Sequence, residues 1–432
     1  MATNIFPGVY TTIVDESFTM QPLPGTIGFI CLFSEKGPDN VPRMTTSVQD
    51  LINTYGVGNP AKYGQGWYVA KQYLSILGNL YVMRVLPETA GFANLGLKYN
   101  VGTDSVSTVF LTNIASVAAI LTKITDGNAD AIFYPVGRGS WYNDVAIKLT
   151  PSSEYAGLFS CYNIDIYQKT SEGEYVIAES FLISFDKDAV DYTNESLFVE
   201  YVLDKYSQLL RVKVSDTIDT TKDWSVPFTT FLNLKNGDDG NLFNATTGFL
   251  DWTVATQLLV RGYTGTLTNP FTGNLNDELT DPECLMFSVV FDAGYPTAVK
   301  DAIVDLCDIR TDCFAFLDNG DNPSPAAAIQ TRTTDHNYNN YRAALFEMYT
   351  KVYDAYTGKY YWFSPIYHVA KAFAKTDRDY DLWWPTAGLT RGVVDGIKDI
   401  RYKLVGGYKD QFKLNQLNPI MRWSNGGDCI WG

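Results

Sequence analysis

The alternation of apolar and polar positions divides the chain into segments of different texture. In "IFPGVYTTIVDES" (5–17), Val9, Thr11 and Ile13 fall on one side of an extended chain and Tyr10, Thr12 and Val14 on the other. Neither side is polar enough to face water, so the segment needs a sheet to join. "TIGFICLFSEKGP" (26–38) reads as a buried strand ending in a Gly-Pro turn. "TTSVQDLINTYG" (45–56) predicts a helix with Ser47 as N-cap, an apolar face of Leu51, Ile52 and Tyr55, and a stop at Gly56. "GWYVAKQYLSILGN" (66–79) predicts a second helix, with Trp67, Ala70, Leu74 and Leu77 at helical spacing, and "LYVMRVL" (80–86) a strand. From about 90 to 280 short β-like runs such as "DVAIKLTP" and "YNIDIYQK" alternate with Asn, Asp, Gly, Ser and Thr clusters, which reads as one or two β-rich inserted domains. Then "LMFSVVFDAG" (285–294), "YPTAVKDAIVDLCDI" (295–309) and "RTDCFAFLD" (310–318) predict a βαβ unit closing on a parallel pair. The expected fold class is α+β or α/β multidomain: an arm at 1–21, an α/β core built from 22–90 and 281–432, and β-rich insertion over 91–280.

Composition narrows the partners. With 432 residues and 46% apolar side chains the chain can fill about three cores. Lys plus Arg number 33 against 48 Asp plus Glu, a net −15, which argues against attraction of the whole surface to nucleic acid or anionic membranes. The segment 359–432 runs the other way, with eleven Lys or Arg against seven Asp; it is either a solvated face or a surface turned to an acidic partner. The six cysteines form no CxxC pair and no metal-finger spacing, which favours a reducing compartment over a disulfide scaffold. No basic region followed by an apolar run marks a signal peptide, and no apolar run of about 18 residues marks a membrane span. Aromatics at 14% lean towards buried subunit interfaces.

Catalytic chemistry finds little material. Only His336 and His368 are present, so a histidine-based hydrolase or multi-histidine metal site is not expected, and His368 in its apolar run reads as a hydrogen-bonded structural residue. "GVGNPA" (56–61) imitates a dinucleotide fingerprint but follows a helix pattern instead of a strand, and reads as a helix stop. No GxxxxGK[ST] phosphate loop occurs. "DGNAD" (126–130) fails as a calcium loop, with Ala131 and Gly137 where Gly and Glu belong. "KNGDDGN" (235–241) reads as a tight turn, with a metal or anion site as the minor alternative, and "DRDYD" (377–381) as an exposed loop without a second carboxylate cluster. No catalytic residue, metal ligand or cofactor is assigned, and the chain is not expected to be an enzyme.

Several motifs in register carry a resemblance. The opening "PGVY", then "GTIGFICLFSEKGPDNVPRMTTSVQDLINTYGVGNP" and "NLYVMRV", resemble the N-terminal region of tail sheath proteins of contractile-tailed bacteriophages. The likeness resumes at "GSWYNDVAIKL" (139–149), "LKNGDDG" (234–240), "RTDCFAFLD", "WWPTAGLTRGVVDGIKDI" (383–400) and "LNQLNPI" (414–420), leaving 91–280 matched only at islands. Two departures stand out: "FSP" with "HVAKAFAKTD" replaces the family's proline pair before an interface helix, and the chain stops at "CIWG" (429–432), where family members continue into a C-terminal lobe. The expectation is therefore a sheath chain truncated before that lobe. The resemblance implies a mechanical virion protein that polymerises helically around a tail tube and contracts to drive the tube through the host envelope. It implies a strand-exchange arm, with Pro7 and Gly8 as the ends of a hinge and Val9, Tyr10, Thr11 and Ile13 adding to a neighbour's sheet; an arm folded on its own sheet edge is the alternative. It further implies an outward-protruding 91–280 part, a tube- or neighbour-facing role for Lys398, Arg401, Lys403 and Lys409, and self, tail tube and baseplate as partners. Neither nucleic acid nor membrane insertion is implied; the virion tail, assembled in the host bacterial cytoplasm, is the location. A sheath of a phage-derived bacteriocin or injection particle, another virion structural protein and, more remotely, a polysaccharide-degrading virion enzyme are the alternatives.

Overall fold

The computed structural model describes residues 26–155, 158–170, 172–381, 383–423 and 427–431. The arm residues Pro7, Gly8, Val9, Tyr10, Thr11 and Ile13 lie outside these. The chain begins with β1 (Gly28–Leu32), β2 (Arg43–Thr45), α1 (Val48–Tyr55), α2 (Pro60–Tyr63), α3 (Gly66–Leu74) and β3 (Leu80–Arg84). Ser47 caps α1 as its spacing predicts, its side chain accepting from the Asp50 N–H, and Gly56 ends the helix at φ 80°. Helix α3 is shorter than the periodicity predicts. Its last turn tightens where Ile76 and Leu77 N–H both bond Tyr73 O, and Gly78 then runs against the Thr46 carbonyl.

A long middle stretch follows: β4 (Leu95–Asn100), β5 (Ser105–Val109), α4 (Val117–Thr125), β6 (Ala131–Pro135), β7 (Val145–Ser152), β8 (Cys161–Lys169), β9 (Tyr175–Ser184), α5 (Val199–Tyr206), β10 (Leu210–Val214) and β11 (Leu232–Asn233). These strands make two antiparallel sheets, ordered β10-β6-β4-β5 and β11-β7-β8-β9. The two share one core in which Leu95, Leu97, Phe133 and Val212 of the first meet Val145, Ile147, Ile164 and Ile166 of the second. The other face of the first sheet packs Ile132 and Tyr134 against Ile120 of α4.

The chain then returns through α6 (Trp252–Tyr263), β12 (Val289–Phe291), α7 (Thr297–Arg310), β13 (Phe314–Asp318), α8 (Pro325–Thr334), β14 (Ala343–Glu347), β15 (Thr350–Asp354) and β16 (Lys359–Phe363). It ends with α9 (Ile366–Asp379), α10 (Gly388–Arg391), β17 (Val393–Val394), β18 (Ile397–Ile400), α11 (Tyr408–Leu414), β19 (Leu417–Trp423) and β20 (Gly427–Ile430). The predicted βαβ unit is present, with β12 and β13 parallel. One nine-stranded sheet, ordered β17-β20-β19-β14-β13-β12-β1-β3-β2, is completed by β1 pairing in parallel with β12, so both ends of the described chain build it. β1 explains why its sequence is apolar without alternation. Phe29 meets Tyr263 of α6 at 5.7 Å between ring centroids, while Gly28 abuts Tyr73 and Leu32 abuts Gly66, both of α3. The sheet is thus covered on both faces, and a strand buried on both faces reads as a continuous hydrophobic run. A small sheet, β16-β15-β18, stands beside it.

Candidate functional site

Where the core sheet hands the chain to the middle sheets, four separated sequence islands meet: the Lys36-Gly37-Pro38 turn, Arg84 at the end of β3, residues 137–143, and the 235–240 turn. Arg84 is buried at 1% exposure and takes no carboxylate at hydrogen-bond range. Its Nε donates to Ser34 O at 3.1 Å and its Nη1 to Gly37 O at 3.1 Å and Arg138 O at 2.8 Å. Asp239 of the distant turn stands 3.9 Å from its Nη2. Beside it Arg138 is enclosed with Asp39, whose Oδ1 accepts the Arg138 backbone N–H at 2.7 Å and whose Oδ2 accepts Nε at 2.8 Å. A buried charge pair held in this geometry is costly to desolvate and damaging to break.

The sequence around these arginines serves close approach. A Cβ on Gly137 would stand 1.9 Å from Gly37 O, and one on Gly237 2.5 Å from Gly139 O, so both positions admit only glycine. Asn143 locks the 235–240 turn reciprocally, its Nδ2 donating to Gly237 O at 2.9 Å while its Oδ1 accepts the Gly237 N–H at 2.8 Å. Gly37 N–H donates to the Tyr142 hydroxyl at 2.9 Å. Burial pushes that phenol up to about 12, so it stays a neutral strut at any ordinary pH. Lys36 Nζ sits 4.8 Å over the Trp141 ring, and Ser140 donates to Asp239. The Gly-x-Trp-x-Asn and Gly-Asp turn islands are therefore two sides of one contact. Most of its polar groups are bonded to one another.

A second buried charged cluster lies at the carboxyl ends of β12 and β13. Lys300 Nζ bridges Asp292 Oδ2 and Asp318 Oδ1, each at 2.9 Å, and Tyr349 donates to Asp318 at 3.0 Å. Next to it Glu347 accepts from Asn319, Asn322 and Tyr402 at 2.7, 3.0 and 3.0 Å, and burial lifts its carboxyl to about 7. Both histidines belong to such packing. His336 contacts Thr297 and Asn319, each at 3.2 Å, and His368 contacts Thr350 at 3.0 Å; burial lowers both to about 4.

The basic residues singled out in the sequence do not form one group. Lys398 lies 4.9 Å over the Tyr360 ring and Arg401 4.6 Å over Trp362, on one face of the small sheet. Arg401 also pairs with Asp321. Lys403 is exposed. Lys409 is elsewhere, on α11, 5.1 Å over Trp423 and beside a cavity of about 640 Å³ between α11, α8 and β19. The junction arginines were missed by sequence reasoning; the only signal was their place in "MRV" and "GRG", each at a strand end next to a glycine-rich or motif-bearing stretch.

No protein-family model matches the chain, and no curated protein matches it significantly. Among solved structures, the chain is similar to a sheath tail protein from Listeria innocua, with a TM-score of 0.51 and 11% identity over 95% of this chain and 69% of that one. A sheath tail protein from Desulfitobacterium hafniense aligns with a TM-score of 0.46 and 11% identity over 98% of this chain and 74% of that one. The chain therefore has the multidomain mixed α/β fold of the Listeria sheath tail protein.

Proposed function

We propose that the chain is a subunit of a contractile tail sheath, which polymerises around a tail tube and shortens to drive the tube through a bacterial envelope. The observation that carries this reading is the fold, shared with the Listeria sheath tail protein over 95% of the chain. The motif islands that resembled that family support it by converging on one junction. On this reading the junction is a rigid coupling instead of a linker, so the middle sheets travel with the core as the subunit rotates. Residues Pro7 to Ile13 add a strand to a neighbouring subunit's sheet, where main-chain hydrogen bonds hold while side-chain contacts change. The chain works without turnover: energy is stored in subunit contacts at assembly and released when smaller interfaces are exchanged for larger ones. Copies of itself, the tube and the baseplate are the partners, in a virion tail assembled in the host cytoplasm.

Negative-stain electron microscopy of the product of the intact gene tests the reading. Hollow cylinders, alone or on co-produced tube protein, are expected. Compact particles under every assembly condition would overturn it.

A further inference from the structure

The small sheet has one face that packing within the chain does not explain. Thr350, Val352, Asp354 and Phe363 point inward and are buried. Opposite residues on the outer face are Lys351 with Trp362 and Tyr353 with Tyr360. A bulge between Lys351 and Val352, against Asp399 and Ile397 of β18, leaves Lys398 as the extra residue, and its ammonium lies over Tyr360. The result interleaves rings and cations: Lys351 Nζ stands 5.8 Å and the Arg401 guanidinium 4.6 Å from the Trp362 ring. Tyr353 and Tyr360 remain 53% and 46% exposed although they meet at 5.2 Å. Two carboxylates lie nearby: Asp321 pairs with Arg401, and Asp399, opposite Lys351 in the ladder, accepts the Ile400 N–H at 3.0 Å. The cations Lys351, Lys398 and Arg401 outnumber these two negative charges. Among the described residues Lys351, Lys398 and Lys403 make no ion pair.

Two exposed Tyr rings and a half-buried Trp flanked by Arg and Lys make the composition of a binding surface, with rigid aromatic area at the centre and charge to select the partner. The cations call for an anionic partner. Two kinds could stack on such rings, an acidic protein surface or single-stranded nucleic acid. The chain's net −15 opposes the approach of a polyanion. The same chain carries the complement: residues 91–280 hold 23 Asp and Glu against 12 Lys and Arg. Within them the ion pair of Lys187 with Asp216 joins loop 186–191 to loop 216–223, which between them carry the exposed Asp188, Asp216, Asp219 and Asp223, while Lys222 of the second loop is paired with Asp104.

We infer that the outer face of the β16-β15-β18 sheet docks the acidic patch of loops 186–191 and 216–223 on a second copy of this chain. Face and patch are different surfaces, so the contact is heterologous and propagates from copy to copy instead of closing as a two-fold dimer. The inference rests on the sheath reading only in taking a second copy as the partner.

The test is sedimentation velocity of the purified chain at low and high salt, with three variants checked for fold by circular dichroism. Association at low salt that high salt removes is expected. Lys351→Glu with Lys398→Glu, and separately Asp216→Lys with Asp219→Lys, should each weaken it by about tenfold or more. Mixing the two variants should restore it, because each mixed contact then joins opposite charges. Tyr353→Ala with Tyr360→Ala should weaken the low-salt association. The inference is overturned by absence of low-salt association, by association that ignores the reversals, or by failure of the mixture to recover. Binding of a mixed-sequence single-stranded DNA to the face with self-association unchanged would overturn it in favour of nucleic acid. Cylinders formed equally by all variants would sink this contact and leave the sheath reading intact. Salt-sensitive, mixture-rescued association without cylinders would do the reverse.

Discussion

Asp39 and Arg138 enclose a charge pair that neither residue could keep alone. Asp39→Ala should cost about 3–5 kcal/mol, because it leaves the guanidinium buried and uncompensated. Replacing both, Asp39→Asn with Arg138→Met, should cost less than the single change; urea unfolding of the three chains measures the difference. Glu347 gives a pH dependence of defined sign. Its folded carboxyl is held at about 7 by burial against an ordinary 4.5. Between those values the folded chain keeps a proton that the unfolded chain has released, so this group's contribution to stability falls as pH rises from about 4.5 to about 7. Glu347→Gln should remove that slope, seen as a flatter melting temperature against pH. None of these residues was legible as a site in the sequence. Arg84 reads there as one charge in a strand, because its partners are backbone carbonyls of residues 34, 37 and 138.

At the scale of elements the sequence was far more readable. The Ser47 cap, the Gly56 stop and the apolar face of α1 are local features, and the helix forms where they place it. Ser47→Ala should cost about 1 kcal/mol, read by thermal unfolding, since it strips the Asp50 N–H of its acceptor. Helix α3 shows the limit of periodicity: apolar spacing continues to Leu77, but the regular helix ends at Leu74 and a tighter turn carries the Ile76 and Leu77 N–H groups to Tyr73 O before Gly78 meets Thr46 O. Helix α6 comes from the middle of the chain, yet it packs on β1 through Tyr263, whose hydroxyl accepts from the Cys31 N–H at 3.1 Å and donates to Phe291 O at 2.9 Å.

The whole molecule has separate cores, one around the nine-stranded sheet and one between the two middle sheets. Native-state hydrogen exchange in low denaturant should therefore show β4–β11 opening together while β1, β12 and β13 stay protected. A single protection class would mean that the junction couples the two into one cooperative unit. The sequence by itself determined most local elements, the βαβ unit, the buried character of β1 and the scarcity of catalytic groups, because caps, periods and residue types act over a few residues. The tertiary structure alone decided that β1 lies between β3 and β12, and that residues 36–38, 84, 137–143 and 235–240 share one contact. Those pairings join positions as far apart as Gly28 and Val289, where closeness comes from sheet order and glycine-permitted approach and leaves no periodic trace in the chain.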